Sequence, residues 1–130
     1  MRFEKLTVMN FASYYGEHVV DLNCTDDKPV VIFLGGTGFG KTTLFDALNW
    51  ALYGVDYEKD LLIHRQRKIE DYVNESALQE ASLLGNTVPM SCTLHFEYEG
   101  NSYYIKCSRF SRGEKYYSEL PYNRRGNFRR

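Results

Sequence analysis

Residues Gly35–Thr42 spell GGTGFGKT, which satisfies the spacing G-x-x-x-x-G-K-[ST] at every fixed position. Each fixed residue type has a task on a polyphosphate. Gly35 and Gly40 allow backbone angles that a side chain would forbid, so the loop can curl. Curled in this way, Gly36, Thr37, Gly38 and Phe39 can turn successive N–H groups toward phosphate oxygens. Lys41 brings a positive charge to the β- and γ-phosphates, and Thr42 offers a hydroxyl to Mg²⁺. Thr43 supplies a second hydroxyl, placed by analogy with other loops of this kind near the α-phosphate. The candidate nucleotide-binding set is therefore residues 35–43, with Thr42 as the candidate metal ligand. A chance match in a glycine-rich turn is the alternative, and context must decide between them.

Such a loop needs a strand before it and a helix after it. Val30–Leu34 (VVIFL) is a short apolar run, the pattern of a buried parallel strand. Thr43–Tyr53 (TLFDALNWALY) places Leu44, Ala47, Leu48 and Ala51 at spacings of three and four, which predicts a helix with one apolar face. Gly54 stands where that helix would stop. The helix also points its positive dipole end at the loop.

The remaining chain divides into elements that can flank this unit. Phe3–Phe11 alternates with Leu6 and Val8 on the inward side, and Glu17–Leu22 follows as a hairpin partner across Ala12–Gly16. Cys24–Pro29 is a polar turn. Asp56–Lys68 is mixed and polar, which predicts a loop or short helical turn. Ile69–Leu84 has helical spacing ended by Gly85–Asn86. Val88–Tyr98 alternates, with Met90, Cys92, Leu94, Phe96 and Tyr98 on one face. Glu99–Asn101 turns the chain into Ser102–Phe110, and Ser111–Glu114 turns it into a third strand, Lys115–Leu120. The predicted class is α/β, a P-loop NTPase lobe with an N-terminal β-hairpin, a strand–loop–helix unit and an antiparallel β-meander. Residues 1–120 form this lobe. Residues 121–130 form a basic tail with no period, expected to be mobile.

At 130 residues, with 43% apolar and 25% charged residues, the chain has the size and balance of one globular domain. Residues 101–130 carry eight Lys/Arg against two Asp/Glu, whereas residues 1–100 carry eight against fifteen. A basic end suits nucleic acid phosphates, and suits a solvated tail equally. The 11 Tyr and 8 Phe are read as strand and half-buried residues, not as base-stacking groups. Cys24, Cys92 and Cys107 have neither an even count nor C-x-x-C spacing, which argues against a disulfide framework or a zinc site. They are expected to be reduced thiols of a cytoplasmic protein. His18 and His95 sit in strands and are read as structural. The start MRFEKLTVMN lacks the apolar core of a signal peptide, and no apolar run is long enough to span a membrane.

Three stretches together carry a family resemblance: Leu6–Phe11 (LTVMNF), Ser13–Tyr15 (SYY), and Val30–Gly54 (VVIFLGGTGFGKTTLFDALNWALYG). The later Leu62–Arg65 (LIHR) and Cys92–Arg109 fit it too. Over about residues 3–110 the chain resembles the N-terminal head segment of the SMC-like ABC ATPases, among them the SbcC-type, RecF, RecN and DndD proteins, with wording nearest the DndD-like defence ATPases. The resemblance implies ATP and Mg²⁺ as ligands. It implies a head completed by a C-terminal half carrying the signature motif, the Walker B Asp and the catalytic Glu. It further implies a second head as dimer partner, DNA as the object of the assembly, and a nuclease or modification enzyme as companion. Ser13 and Tyr14 lie where these families approach the base or ribose, and a plain turn is the equal alternative. His64 and Arg65 are read as a solvated loop in preference to a place near the nucleotide.

The sequence departs from that family's pattern in three respects. Thr37 replaces the usual Asn of the loop, which puts that residue's role across a dimer in doubt. No segment reads as an apolar strand followed by Asp-Glu, since Asp46 and Asp71 fall on predicted helices. No LSGGQ segment is present, and Gln66 and Gln79 precede the meander, where the family's glutamine follows it. No catalytic residue is therefore assigned, and the chain is expected to be a piece of a longer or split ATPase. The rival expectations are a regulatory nucleotide-binding or interaction module, and a different P-loop enzyme such as a small kinase.

Overall fold

The computed structural model describes residues 1–35, 40–112 and 115–119, with side chains described as far as residue 110. The elements run β1 (Arg2–Phe11), β2 (Tyr14–Asp21), α1 (Lys41–Tyr53), α2 (Val55–Arg65), a 3₁₀ turn (Ile69–Tyr72), α3 (Glu75–Leu84), β3 (Val88–Tyr98), β4 (Asn101–Arg112) and β5 (Lys115–Glu119). The strands form one antiparallel sheet in the order β2-β1-β3-β4-β5. The hairpin and the meander of the sequence analysis thus join into a single sheet. β1 pairs with β3 from Arg2↔Glu97 to Met9↔Ser91.

Alternation along the strands builds the core. Leu6 and Val8 of β1, Met90, Cys92, Leu94 and Phe96 of β3, and Cys107 of β4 are buried on one face. Ala47, Trp50 and Ala51 of α1 cover that face, joined by Tyr57, Leu61, Ile69 and Tyr72. Phe11 lies between Trp50 and Tyr72, with ring centroids 5.8 Å and 5.1 Å away. Tyr98 shares the predicted phase of β3 but is exposed, because it sits beside the Glu99–Gly100 turn at the end of the strand.

Four expectations are corrected. Val30–Leu34 is not a strand of the described sheet, and Val30, Ile32, Phe33 and Leu34 are exposed. A parallel strand needs a parallel neighbour, and every pairing here is antiparallel. Asp56–Lys68 is mostly helix, because Tyr57 and Leu61, one helical turn apart, bury against the core. Ile69–Leu84 is not one helix. Val73 leaves the 3₁₀ turn in extended conformation and makes an isolated bridge to Phe11, and Asn74 then caps α3 by accepting from the Ala77 N–H at 3.0 Å. The buried face of α1 is also rotated from the predicted stripe. It comprises Asp46, Ala47, Trp50 and Ala51, while Leu44 and Leu48 are half-buried.

Other boundaries agree with the sequence. Gly54 ends α1 with its N–H on the Trp50 carbonyl at 2.8 Å, and Gly85 ends α3 in left-handed conformation. The hairpin connection is shorter than predicted, since β2 begins at Tyr14. Cys92 and Cys107 are buried free thiols and Cys24 is a half-buried one. Burial pushes the Cys107 thiol up to about 11 and Cys92 well above its ordinary value, so neither is poised as a thiolate. Among the described residues no helix is long and apolar enough to cross a membrane. The expected tail, residues 121–130, lies outside the described residues, as does Leu120.

Candidate nucleotide site

The helix that should receive a phosphate is in place. α1 begins at Lys41, directly after Gly40, whose φ of 86° is left-handed and whose side lacks a Cβ. The first N–H groups of any helix lack an intrahelical acceptor, which is the usual basis of anion attraction at such an end. Lys41 and Thr42 are exposed and Thr43 is half-buried. The Lys41 ammonium donates to the Gly35 carbonyl, so the two ends of the loop are drawn together by the residue expected to meet phosphate. No acidic side chain among the described residues pairs with Lys41, which leaves its charge available to an anion. Gly36, Thr37, Gly38 and Phe39 lie outside the described residues.

The β1–β2 turn reaches this end of α1. The Tyr14 hydroxyl donates to the Gly40 carbonyl at 3.4 Å, and burial raises its phenol pKa. Ser13, in the same turn, is exposed. Both are thus carried by the turn that adjoins the loop, and Tyr14 touches its last glycine. The Tyr14 ring also meets the His18 ring, centroids 5.3 Å apart and steeply tilted. The turn itself is locked from the far side. The Ala12 N–H donates to the Tyr72 carbonyl, and Asn74 Nδ2 donates to the Ala12 carbonyl at 2.8 Å. Asn10 Oδ1 accepts from the Gly16 N–H at 2.8 Å while its amide donates to the Pro89 carbonyl at 2.9 Å.

This contact makes a specific demand at Gly40. A Cβ there would meet the Tyr14 hydroxyl at 2.8 Å and its ring carbons at 3.3 Å, on a backbone that L side chains rarely adopt. Gly40→Ala is expected to lower stability by about 1–3 kcal/mol. Chemical denaturation of the variant beside the native chain measures this, and an unchanged midpoint would refute the close packing of Tyr14 on the loop.

Beside the loop lies an apolar cleft of about 360 Å³, lined by Leu6, Val31, Phe33, Leu44, Phe45 and Leu48, with Lys41 also on its wall. The cleft lies between the Val30–Leu34 segment and α1.

The sequence analysis missed one cluster on α1. Asp46 is buried, and its carboxylate accepts from the Tyr57 hydroxyl at 2.5 Å, from Arg65 Nη1 at 2.9 Å, and from the Tyr72 hydroxyl at 3.2 Å. Burial and then the bond to Asp46 raise the Tyr57 phenol far above its ordinary value. Tyr72 is raised by burial and by the Asp46 charge, and the Asp46 charge raises Arg65. The signal was legible, because Asp46 is the only charged residue in the mostly apolar stretch between Lys41 and Tyr53. Arg65, read as part of a solvated loop, is instead the cation of this cluster. His64 is exposed, 3.4 Å from the Asp60 carboxylate one turn back. Asp71 caps the 3₁₀ turn by accepting from the Lys68 N–H at 3.0 Å. Neither Asp46 nor Asp71 is at a strand end.

A model of the AAA domain family matches residues 5–126. The chain belongs to that family. Its relatives include the C component of the nuclease SbcCD from Treponema pallidum (strain Nichols), 44% identical over 54 residues, or 42% of this chain and 5% of that protein. The protein of the same name from Lactococcus lactis subsp. lactis (strain IL1403) is 44% identical over 45 residues, or 32% of this chain and 4% of its own length. That of Staphylococcus saprophyticus is 38% identical over 60 residues, 46% of this chain and 6% of its own length. The chain therefore covers a small part of these relatives. The family match and these relatives support an N-terminal head segment of the SMC-like ABC ATPases, as the motifs implied.

Proposed function

We propose that this chain is the ATP-binding N-terminal lobe of an SMC-like, DNA-processing ATPase, and that it acts in DNA repair, modification or defence. The observation that carries the reading is the end of α1: a left-handed Gly40, then an exposed Lys41 with no acidic partner among the described residues and an exposed Thr42, inside a family of P-loop ATPases. Residues 35–43 would cradle the triphosphate, with Lys41 on the β- and γ-phosphates and Thr42 on Mg²⁺. The metal would supply charge neutralisation. Ser13 and Tyr14 would stand beside the base or ribose.

Hydrolysis needs a positioned water and a group to orient it, and no residue of the described site offers one. Asp46 has its oxygens occupied and Asp71 serves a backbone cap. The catalytic carboxylate would come from a C-terminal half that completes the head. Its docking place would be the exposed apolar Val30–Leu34 segment and the cleft beside it, where a parallel strand could pair with a backbone that joins no strand of the described sheet. A second head would complete the site, DNA would be the object of the assembly, and a nuclease would be its companion, as the name of the relatives suggests for them.

The test is to titrate the chain with Mg·ATP and with inorganic tripolyphosphate by calorimetry, then to add a C-terminal head segment of the relatives. Triphosphate binding by the chain alone, with ATP turnover only after mixing, is the expected result. Turnover by the 130-residue chain alone would overturn the split of labour. Absence of triphosphate binding both alone and after mixing would overturn the phosphate site.

A further inference from the structure

The Asp46 cluster is more than a satisfied buried charge, because it closes a ring of contacts onto the phosphate end of α1. The Tyr72 hydroxyl donates to Asp46 at 3.2 Å, and the carbonyl of the same Tyr72 accepts from the Ala12 N–H. Two residues on, Tyr14 donates to the Gly40 carbonyl, and Gly40 leads into Lys41 and the helix that carries Asp46. Tyr72 thus grips the helix through one group and the turn beside the loop through the other. Its ring is held in turn by stacking on Phe11 and by the Arg67 guanidinium, 4.3 Å from its centroid. Tyr57 and Arg65 bind the same carboxylate from the two ends of α2, so α1 is tied to the helical insert in direction as well as position.

We infer that Asp46 is a positioning residue of the phosphate site, holding Gly40, Lys41 and Thr42 in register with the β1–β2 turn through Tyr72. This rests on the proposal that the end of α1 receives a triphosphate. The chemistry suits the task. A carboxylate 4% exposed, with hydroxyl and guanidinium donors converging on it, adds directional bonds that help fix a helix in rotation as well as in place. Arg65 is 44% exposed at its side chain and is the cation that neutralises Asp46.

The experiment compares Asp46→Asn and Tyr72→Phe in the 130-residue chain with Asp71→Ala, which removes the acceptor of the Lys68 N–H and so loosens the insert at its backbone cap. Amide resonances of Gly40, Lys41 and Thr42 are recorded without ligand, and affinity for inorganic tripolyphosphate is measured below each melting temperature. Asp46→Asn and Tyr72→Phe should shift and broaden those resonances while leaving those of β3 in place. Asp46→Asn should weaken tripolyphosphate about tenfold, the equivalent of about 1.4 kcal/mol. Asp71→Ala should lower the melting temperature alone. Equal loss of melting temperature in all variants, with the Gly40–Thr42 resonances unmoved, would overturn the inference. Shifted resonances in a chain that binds no tripolyphosphate would sustain the positioning and overturn the phosphate site instead.

Discussion

Trp50→Ala is expected to destabilise the chain by about 3–5 kcal/mol, a large share of the roughly 5–15 kcal/mol that holds a domain of this size. Trp50 is fully buried where α1 meets the sheet. Its ring stacks on Phe11, its carbonyl accepts from the Cys107 thiol at 3.2 Å, and its Nε1 donates to Glu58 Oε1 at 2.9 Å. Glu58 in turn binds Arg109 of β4, only 13% exposed at its side chain, so the indole joins α1 and α2 to the sheet. Truncation removes the ring and leaves a cavity beneath β3 that its neighbours cannot fill without moving. Trp50→Phe should cost less, since it keeps most of the volume and Glu58 keeps Arg109. Because Trp50 is the single tryptophan, unfolding of the variants must be followed by circular dichroism and not by indole fluorescence. A midpoint for Trp50→Ala close to the native one would show that α1 does not pack on the sheet as described.

Lys41→Ala is expected to reduce affinity for Mg·ATP and for tripolyphosphate alike, by about 10- to 100-fold. That range is what the loss of a charged hydrogen-bond donor worth about 1.5–3 kcal/mol predicts. Stability should change by no more than about 0.5 kcal/mol, since Lys41 is exposed and the Gly35 carbonyl it now contacts can turn to water. The two measurements separate function from fold. Loss of binding with an unchanged denaturation midpoint assigns the ammonium to the ligand. Equal affinity in both proteins would mean that Lys41 stays on Gly35 and that the loop is a structural closure. Adenosine, which carries no phosphate, should bind the two proteins equally.

The loop motif, the helix behind it and the strands of the sheet were legible from residue spacing alone. Strand alternation from Leu6 to Val8 and from Met90 to Phe96 placed the inner face correctly, because period two is a property of the backbone whatever the strands pair with. Gly54 and Gly85 ended their helices for a similarly local reason. The family was also written in the sequence, since TTLFDALNWALYG adds specificity that a bare phosphate loop lacks.

What spacing could not supply was the partner of each segment. Val30–Leu34 has the composition of a buried strand, yet it has no strand beside it in the described structure and remains exposed. Burial is a relation between segments, and the apolar pattern records only one side of it. Asp56–Lys68 looked too polar for a helix, but Tyr57 and Leu61 find the core one turn apart. The Asp46 cluster is the clearest case. The sequence determined that a lone carboxylate sits in an apolar helix, and only the tertiary structure brought it Tyr57, Arg65 and Tyr72 from positions 11, 19 and 26 residues away. A buried charge is tolerable only with donors converging on it, and that convergence depends on how separate elements pack.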